Sequence, residues 1–587
     1  MLATTGFRDL LAAYPEQIPE ADAGRISRTL NQILGYKGAD AARIRREVQT
    51  GRSYVVLVPQ LRAKQSAAIK QALASGKLKG VSLEPRAVRI YPSPGGAPET
   101  TVASHLLGFV NNEGNGQYGI EQRYQELLGG RPRVTSALRG LEGGSIAGSS
   151  RLVDPGTPGA DLRLTLDAGL QLQLEKELYA AWVADAAVAV SAVVLDPDTG
   201  EVLAWASVPG YDANRFRATA DEDPNRFIDP IASRVYEPGS VLKMMVAAAA
   251  YERGTLAAST PINDSGSMQL GRFRVDDSDK QPMGWIPFED VIAYSRNVGA
   301  ARAAMTLGDD TRSASIALYQ MWHRLGIGRE TGVDVSGEVE GLVIDPAIKT
   351  WARIDLANGS FGQGVAVTPI QLATSFSAMV NGGYRIRPHL AAGVGGQPVA
   401  EPERSQVLDT ELSAELAGLM THVVTEVPWY AKGTLVPGYL VGGKTGTAQI
   451  WDTKRRDWVP NVFNFSFVGF AGATRPEAVI AVQIHRAKPL IRGQGDFKLS
   501  ITSYELFRRI AIDTMAAMDI SPARRLAGPP PLPEPTSGRE VAPGGSRRGG
   551  ERAHGGSGTD GGRGTPAASP SAEASGPRSY PVPEGIP

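Results

Sequence analysis

The sequence contains no cysteine among its 587 residues, which excludes a disulfide framework, a thiolate metal site and a cysteine nucleophile. It has no excess of charge: Lys plus Arg and Asp plus Glu both number 61, so no global field favours a polyanion and nucleic acid is not an expected partner. No run of eighteen apolar residues occurs, and Met1 to Tyr14, with Arg8 and Asp9 inside it, lacks the cation-then-apolar order of a signal peptide. Histidine is scarce, and its six copies include no i,i+4 pair, so no metal ligand set is expected. What remains is a globular composition, 42% hydrophobic and 21% charged, on a chain long enough for several domains of ~150 residues.

Residues 1–150 alternate helical stretches such as 21–34 with a β-rich piece at 53–59, a strand and turn at 81–92 and a helix start at Gly119. This predicts a small N-terminal α+β module. Asp154-Pro155-Gly156-Thr157-Pro158-Gly159 is a turn-rich boundary. A strand at 161–166 and a helix at 168–184 follow, then strands at 189–195 and 201–207 joined by Asp196-Pro197-Asp198-Thr199-Gly200, a hairpin signal. Beyond them, 262–278 is polar and turn-rich, 287–304 and 368–383 read as helices, 439–451, 464–470 and 478–485 as strands, and 499–518 as a closing helix. The expected architecture over 151–520 is an antiparallel sheet whose strands come from both ends of the domain, flanked by helices. From 521 to 587 the chain is rich in Pro, Gly, Ser and Arg with few large apolar residues, and a disordered tail is expected.

The chemistry centres on Glu237-Pro238-Gly239-Ser240-Val241-Leu242-Lys243, a turn running into an alanine-rich helix. Positions i and i+3 share a helix face, so the Lys243 amine can reach the Ser240 hydroxyl. A serine needs a neighbour to take its proton as it attacks, and a lysine can do so if burial and a second cation lower its pKa. The helix start also offers backbone N–H groups to an oxyanion. Two further pieces are Ser295-Arg296-Asn297, with a hydroxyl and an amide on a turn, and Gly443-Lys444-Thr445-Gly446-Thr447, a strand whose glycine admits close backbone approach. Strict alternation places Lys444 and Gly446 on one face of that strand and Thr445 and Thr447 on the other. Each motif alone is common, S-x-x-K being as readily an N-cap before a solvated lysine. The specificity lies in the set and its order.

Together with Asp161 to Asp167, Ser360-Phe361-Gly362-Gln363-Gly364, Ser466 to Phe470, Arg89 to Pro92, His105 to Phe109 and Gly119 to Glu121, these motifs resemble the class B penicillin-binding proteins over roughly 1–518. The resemblance implies an α+β penicillin-binding transpeptidase (serine β-lactamase-like) domain on a pedestal or dimerisation domain. It implies Ser240 as nucleophile on the D-Ala-D-Ala bond of a stem peptide and Lys243 as base. Ser295 and Lys444 would pass the proton to the leaving D-alanine, and Asn297 would hold the peptide amides. The N–H groups of Ser240 and Thr447 would form an oxyanion hole, with Thr445, Gly446 and Thr447 along the substrate. No metal or organic cofactor is implied. β-Lactams would acylate Ser240, and a membrane glycan polymerase and division-complex proteins are the implied partners.

Family members begin with a membrane helix ahead of the pedestal. Here Met1 falls just after the expected entry motif, so the expectation is a truncated reading frame whose natural product is anchored by one helix at the extracytoplasmic face. The compact N-terminal module points to the division type more than to the elongation type. Competing readings are a β-lactamase, for which no separate deacylating glutamate is assignable, a D,D-carboxypeptidase, a β-lactam sensor and an inactive scaffold of a wall-synthesis complex. Trp182, Trp205 and Trp351 are expected as core or ledge residues, and Lys454 to Arg456, between Trp451 and Trp458, in a solvated hairpin, with a loop that shapes the cleft as the alternative.

Overall fold

The computed structural model describes residues 1–523 apart from 132–133, 137, 139–150, 453, 456, 489 and 492–496. The tail expected over 521–587 thus lies outside the described residues from 524 onward.

Strands rich in Val, Ile, Ala and Phe, buried on both faces, build the central sheet. Its five antiparallel strands run in the order Val202–Val208, Ala189–Leu195, Ala478–Ala487, Asp457–Gly472 and Leu440–Asp452, an early hairpin joined to three late strands as expected. Alternate residues serve two cores. Val190, Ala192, Val194, Ile480 and Val482 face the helices Ala168–Asp185 and Ser503–Ala517, while Val193, Leu195, Val479 and Ala481 join Met244 to Ala250, Ile370, Phe376 and Leu416 on the other side. Both faces are covered, which is why the middle strands read as continuous apolar runs. Trp205 is fully buried and its indole N–H donates to Asp229 at 2.7 Å. Trp351 is also buried, and Trp182 packs partly buried on the second core.

The N-terminal part has a separate core. Leu11, Ile26, Leu30, Ile44, Leu57 and Ile69 pack three helices, Glu20–Leu34, Gly38–Val48 and Ala63–Ala74, on a three-stranded antiparallel sheet. The central strand of that sheet is Thr4–Ala13, an element the sequence pattern does not predict. Its outer half, Thr4 to Asp9, alternates too little apolar residue to announce itself, and pairing with Val81–Ile90 over ten residues supplies what propensity does not. From Tyr91 on, the chain changes allegiance: Tyr91, Leu106, Phe109 and Ile120 belong to the core that Val193, Leu195 and Met244 to Ala250 also build. Among the described residues no helix is long and apolar enough to cross a membrane.

Candidate active site

Ser240 lies in a 3-10 turn, Gly239–Leu242, that leads into the helix Lys243–Glu252. Three backbones clamp this turn. Tyr236 pairs with Val367 through two 3.0 Å hydrogen bonds, and Gly239 donates to Gly362 O at 3.2 Å. The strand Leu440–Asp452 closes the third side so tightly that a Cβ on Gly446 would lie 2.3 Å from Pro238 O. Gly239 has φ +63°, and a Cβ there would meet the Thr447 backbone at 2.8 to 3.3 Å. These two glycines therefore bring the Thr447 main chain beside the nucleophile.

Lys243 is fully buried, and its Nζ stands 3.0 Å from Ser240 Oγ, 3.1 Å from Ser295 Oγ and 2.8 Å from Asn297 Oδ1, with Ser295 O as a further, close acceptor. Lys444 is equally buried; its Nζ donates to Ser295 Oγ at 3.0 Å and to Thr445 O at 3.2 Å. Ser295 is thus bracketed by both amines. It is held at φ +59°, a left-handed conformation that costs a β-carbon-bearing residue about 1 kcal/mol or more and persists only where surroundings fix it. Asn297 opens the helix Asn297–Met305, and its Nδ2 donates to Asp276 O at 3.0 Å. That bond turns Oδ1 toward Lys243.

The structure thus brings Ser240, Lys243, Ser295, Asn297 and Lys444 into direct contact. Gly446 packs on the nucleophile turn, Thr445 is buried, and Thr447 is exposed at the strand surface. The Thr445 hydroxyl donates to Tyr430 OH at 3.1 Å. Tyr430, on the short helix Pro428–Thr434, carried no signal in the sequence beyond its aromatic ring.

Burial pushes the Lys243 pKa well below that of a free lysine, the Lys444 cation adds to this, and Asp277 and Asp264 pull the other way. Burial alone brings Lys444 down to about 7. Lys444 can therefore give and take a proton near neutrality, and burial favours the neutral, proton-accepting form of Lys243. The two carbonyl oxygens around Lys243, Ser295 O and Asn297 Oδ1, can only accept. A neutral amine that donates its two hydrogens to them is left with its lone pair facing the hydroxyls, Ser240 Oγ foremost.

A second feature leaves little trace in the sequence pattern. Arg296 is buried against Asp264, Asp277 and Asp279. The acidic run Asp276-Asp277-Ser278-Asp279 and the lone arginine inside Ser295-Arg296-Asn297 were the available signal, but the polar stretch 262–278 read as turns. It folds as the strands Pro261–Asp264, Ser267–Leu270 and Phe273–Asp276.

Residues 190–510 match the family described as the penicillin-binding protein transpeptidase domain, and residues 1–164 the penicillin-binding protein dimerisation domain. The chain is similar to penicillin-binding protein PbpB of Mycobacterium tuberculosis, 30% identical over 460 residues, which are 76% of this chain but only 64% of that protein's length. It is similar to peptidoglycan D,D-transpeptidase FtsI of Escherichia coli, 29% identical over 76% of this chain and 70% of that protein. Penicillin-binding protein 3 of M. tuberculosis, solved in complex with aztreonam, has a TM-score of 0.63 and 27% identity over 76% of this chain and 93% of that one.

Proposed function

Since the chain belongs to the penicillin-binding protein transpeptidase family, we propose that it is a peptidoglycan D,D-transpeptidase acting through a Ser240 acyl-enzyme. The observation that carries this is the Lys243 amine, desolvated, saturated by two carbonyl acceptors and 3.0 Å from Ser240 Oγ.

Ser240 Oγ attacks the carbonyl carbon of the penultimate D-alanine while Lys243 Nζ takes the hydroxyl proton. The N–H groups of Ser240 and Thr447 receive the oxyanion. The proton then passes through Ser295 Oγ, which touches both amines, to the leaving D-alanine nitrogen as the C–N bond breaks, with Lys444 supporting the relay. Asn297 holds the stem-peptide amides, and Thr445, Gly446 and Thr447 line the strand on which the substrate lies. An amine of a second stem peptide attacks the ester, gives its proton back along the same route and frees Ser240. In a β-lactam the same attack opens the ring, and the leaving nitrogen stays tethered.

Residues 1–150 are read as the pedestal, 151–520 as the catalytic domain and the remainder as a tail. The reading extends to action at the extracytoplasmic face of the cell membrane in wall synthesis during division, beside a glycan polymerase. The test is labelling with a fluorescent penicillin, following wild type and Ser240→Ala over time. A stable adduct absent from Ser240→Ala is expected. Rapid loss of label with drug turnover would make the chain a hydrolase, and no label on folded protein would make it a scaffold.

A further inference from the structure

Behind the Ser295-Arg296-Asn297 turn lies a charge cluster that the steps above leave unused. The side chains of Arg296, Asp264 and Asp277 are 6%, 0% and 1% exposed. Arg296 Nε donates to Asp264 Oδ2 at 2.8 Å, its terminal nitrogens grip Asp279 at 2.9 and 3.0 Å, and Nη2 lies 3.3 Å from Asp277 Oδ2. The other oxygen of Asp277 accepts the backbone N–H of Asn297 and, at 3.1 Å, that of Val298. One carboxyl therefore anchors the first turn of the helix that begins with Asn297, while the neighbouring Asp276 carbonyl orients the Asn297 amide.

Two oxygens in this cluster, Asp264 Oδ1 and Asp277 Oδ2, accept no hydrogen bond, and the two carboxyls face one another. Three ionised carboxylates against one guanidinium would leave a net charge of −2 beside a buried turn. Uptake of one shared proton, as the pH falls, would satisfy both oxygens and halve that charge.

We propose that Asp277, a carboxylate that can take up a proton shared with Asp264, is a positioning residue for acylation: it fixes Ser295 and Asn297 in the geometry that aims the Lys243 lone pair at Ser240, and its charge state tunes how readily Lys243 takes a proton. The inference rests on the reading of Ser240 and Lys243 as nucleophile and base. The groups that act on Asp277 are Arg296 on the turn, Asp264 on its strand, Asp279 through Arg296, and Lys243 on the nucleophile helix. Burial first, then Asp264, raises Asp277 to about 6, within reach of mildly acidic pH. Ionised Asp277 favours the Lys243 cation, and protonated Asp277 releases it.

The test uses the full chain with Asp277→Asn and Asp277→Ala. Two readouts are taken from pH 5 to 9: the second-order rate of acylation by a fluorescent penicillin, and the titration of the Lys243 Cε resonance in 13C-lysine-labelled protein. The amide of Asp277→Asn still accepts both N–H groups and donates to Asp264. Its acylation rate at neutral pH should stay within ~3-fold, while the ascending limb of the rate profile and the Lys243 titration move down by on the order of 0.5–1 pH unit, because one negative neighbour is gone. Asp277→Ala, which leaves two N–H groups without an acceptor, should acylate about 10- to 100-fold more slowly. An unmoved Lys243 titration in Asp277→Asn, or wild-type acylation by Asp277→Ala, would overturn the proposal. Failure of the wild type itself to acylate would reject the nucleophile reading, and the Lys243 titration would still decide the role of Asp277.

Discussion

Two buried cationic centres meet around Ser295, and they are built in opposite ways. Lys243 and Lys444 have hydroxyls and carbonyls for partners and, among the described residues, no carboxylate within hydrogen-bond reach. Arg296, between Ser295 and Asn297, is met by three carboxylates. Burial disfavours the charged form of all three. It carries the lysines down, whereas for Arg296 the hydrogen bonds of Asp279 and the charges of Asp277 and Asp264 more than reverse it. A buried cation denied a counter-ion becomes a proton carrier, and one given an excess of them becomes a fixed strut. The choice of side chain follows, since a guanidinium scarcely deprotonates and forks onto carboxylates, while an amine shifts readily.

The comparison breaks most severely if a fixed charge can replace the carrier. Lys243→Arg keeps the positive charge and removes the capacity to accept a proton, so penicillin acylation of Ser240 should fall about 10³-fold or more. Residual acylation within ~10-fold of wild type, measured as the second-order labelling rate, would mean that charge and not proton transfer is what Lys243 supplies.

Removing the strut should cost stability as well as rate. Arg296→Ala leaves Asp264 and Asp277 buried without their cation, and unfolding in urea should register a loss of about 3–5 kcal/mol. Part of this returns at low pH, because Asp277, at about 6 in the folded chain against an ordinary 3.8, is neutralised there. A loss below ~1 kcal/mol would show that the three carboxylates need no counter-charge.

Lys444→Met sharpens the contrast by separating stability from rate. The folded chain holds Lys444 at about 7, against 10.5 for a free lysine. Between these values the unfolded chain binds a proton that the folded chain does not, so the wild-type contribution improves as pH rises from 7 to 10.5 and is poorest below 7. The methionine variant should accordingly gain its greatest stability relative to wild type below pH 7, with the gain fading toward 10.5. Acylation should drop about 10²-fold.

The proton-carrying centre was legible in the sequence and the strut was not, for a physical reason. Ser240 and Lys243 lie three positions apart where a 3-10 turn runs into a helix, and Lys444 to Thr447 share one strand, so local spacing constrains them. The sheet was legible too, because its nearly continuous apolar runs at 189–195, 201–207 and 478–485 report burial on both faces directly. The Arg296 cluster is assembled from Asp264, Asp277 and Asp279, 17 to 32 residues away along the chain, and only the hairpins that the polar stretch forms bring them together. A charged residue in a turn reads as solvated until tertiary structure buries it. The strand Thr4–Ala13 was hidden by a related effect, its partners lying at Val55–Val58 and Val81–Ile90.

The smallest effect provides the reference for both centres. Arg509 reaches Glu177 at 3.3 Å across the helix pair that covers the far face of the sheet, with its side chain 45% exposed. It forms an ion pair as Arg296 does, but water reaches its guanidinium and screens the pair, and the long side chain gives up rotamer freedom to make it. Arg509→Ala should change stability by less than ~0.5 kcal/mol and leave penicillin labelling unaltered. If its loss instead approached that of Arg296→Ala, burial would not be what distinguishes the strut from an ordinary salt bridge, and the account of Asp277 as part of a desolvated positioning cluster would lose its physical basis.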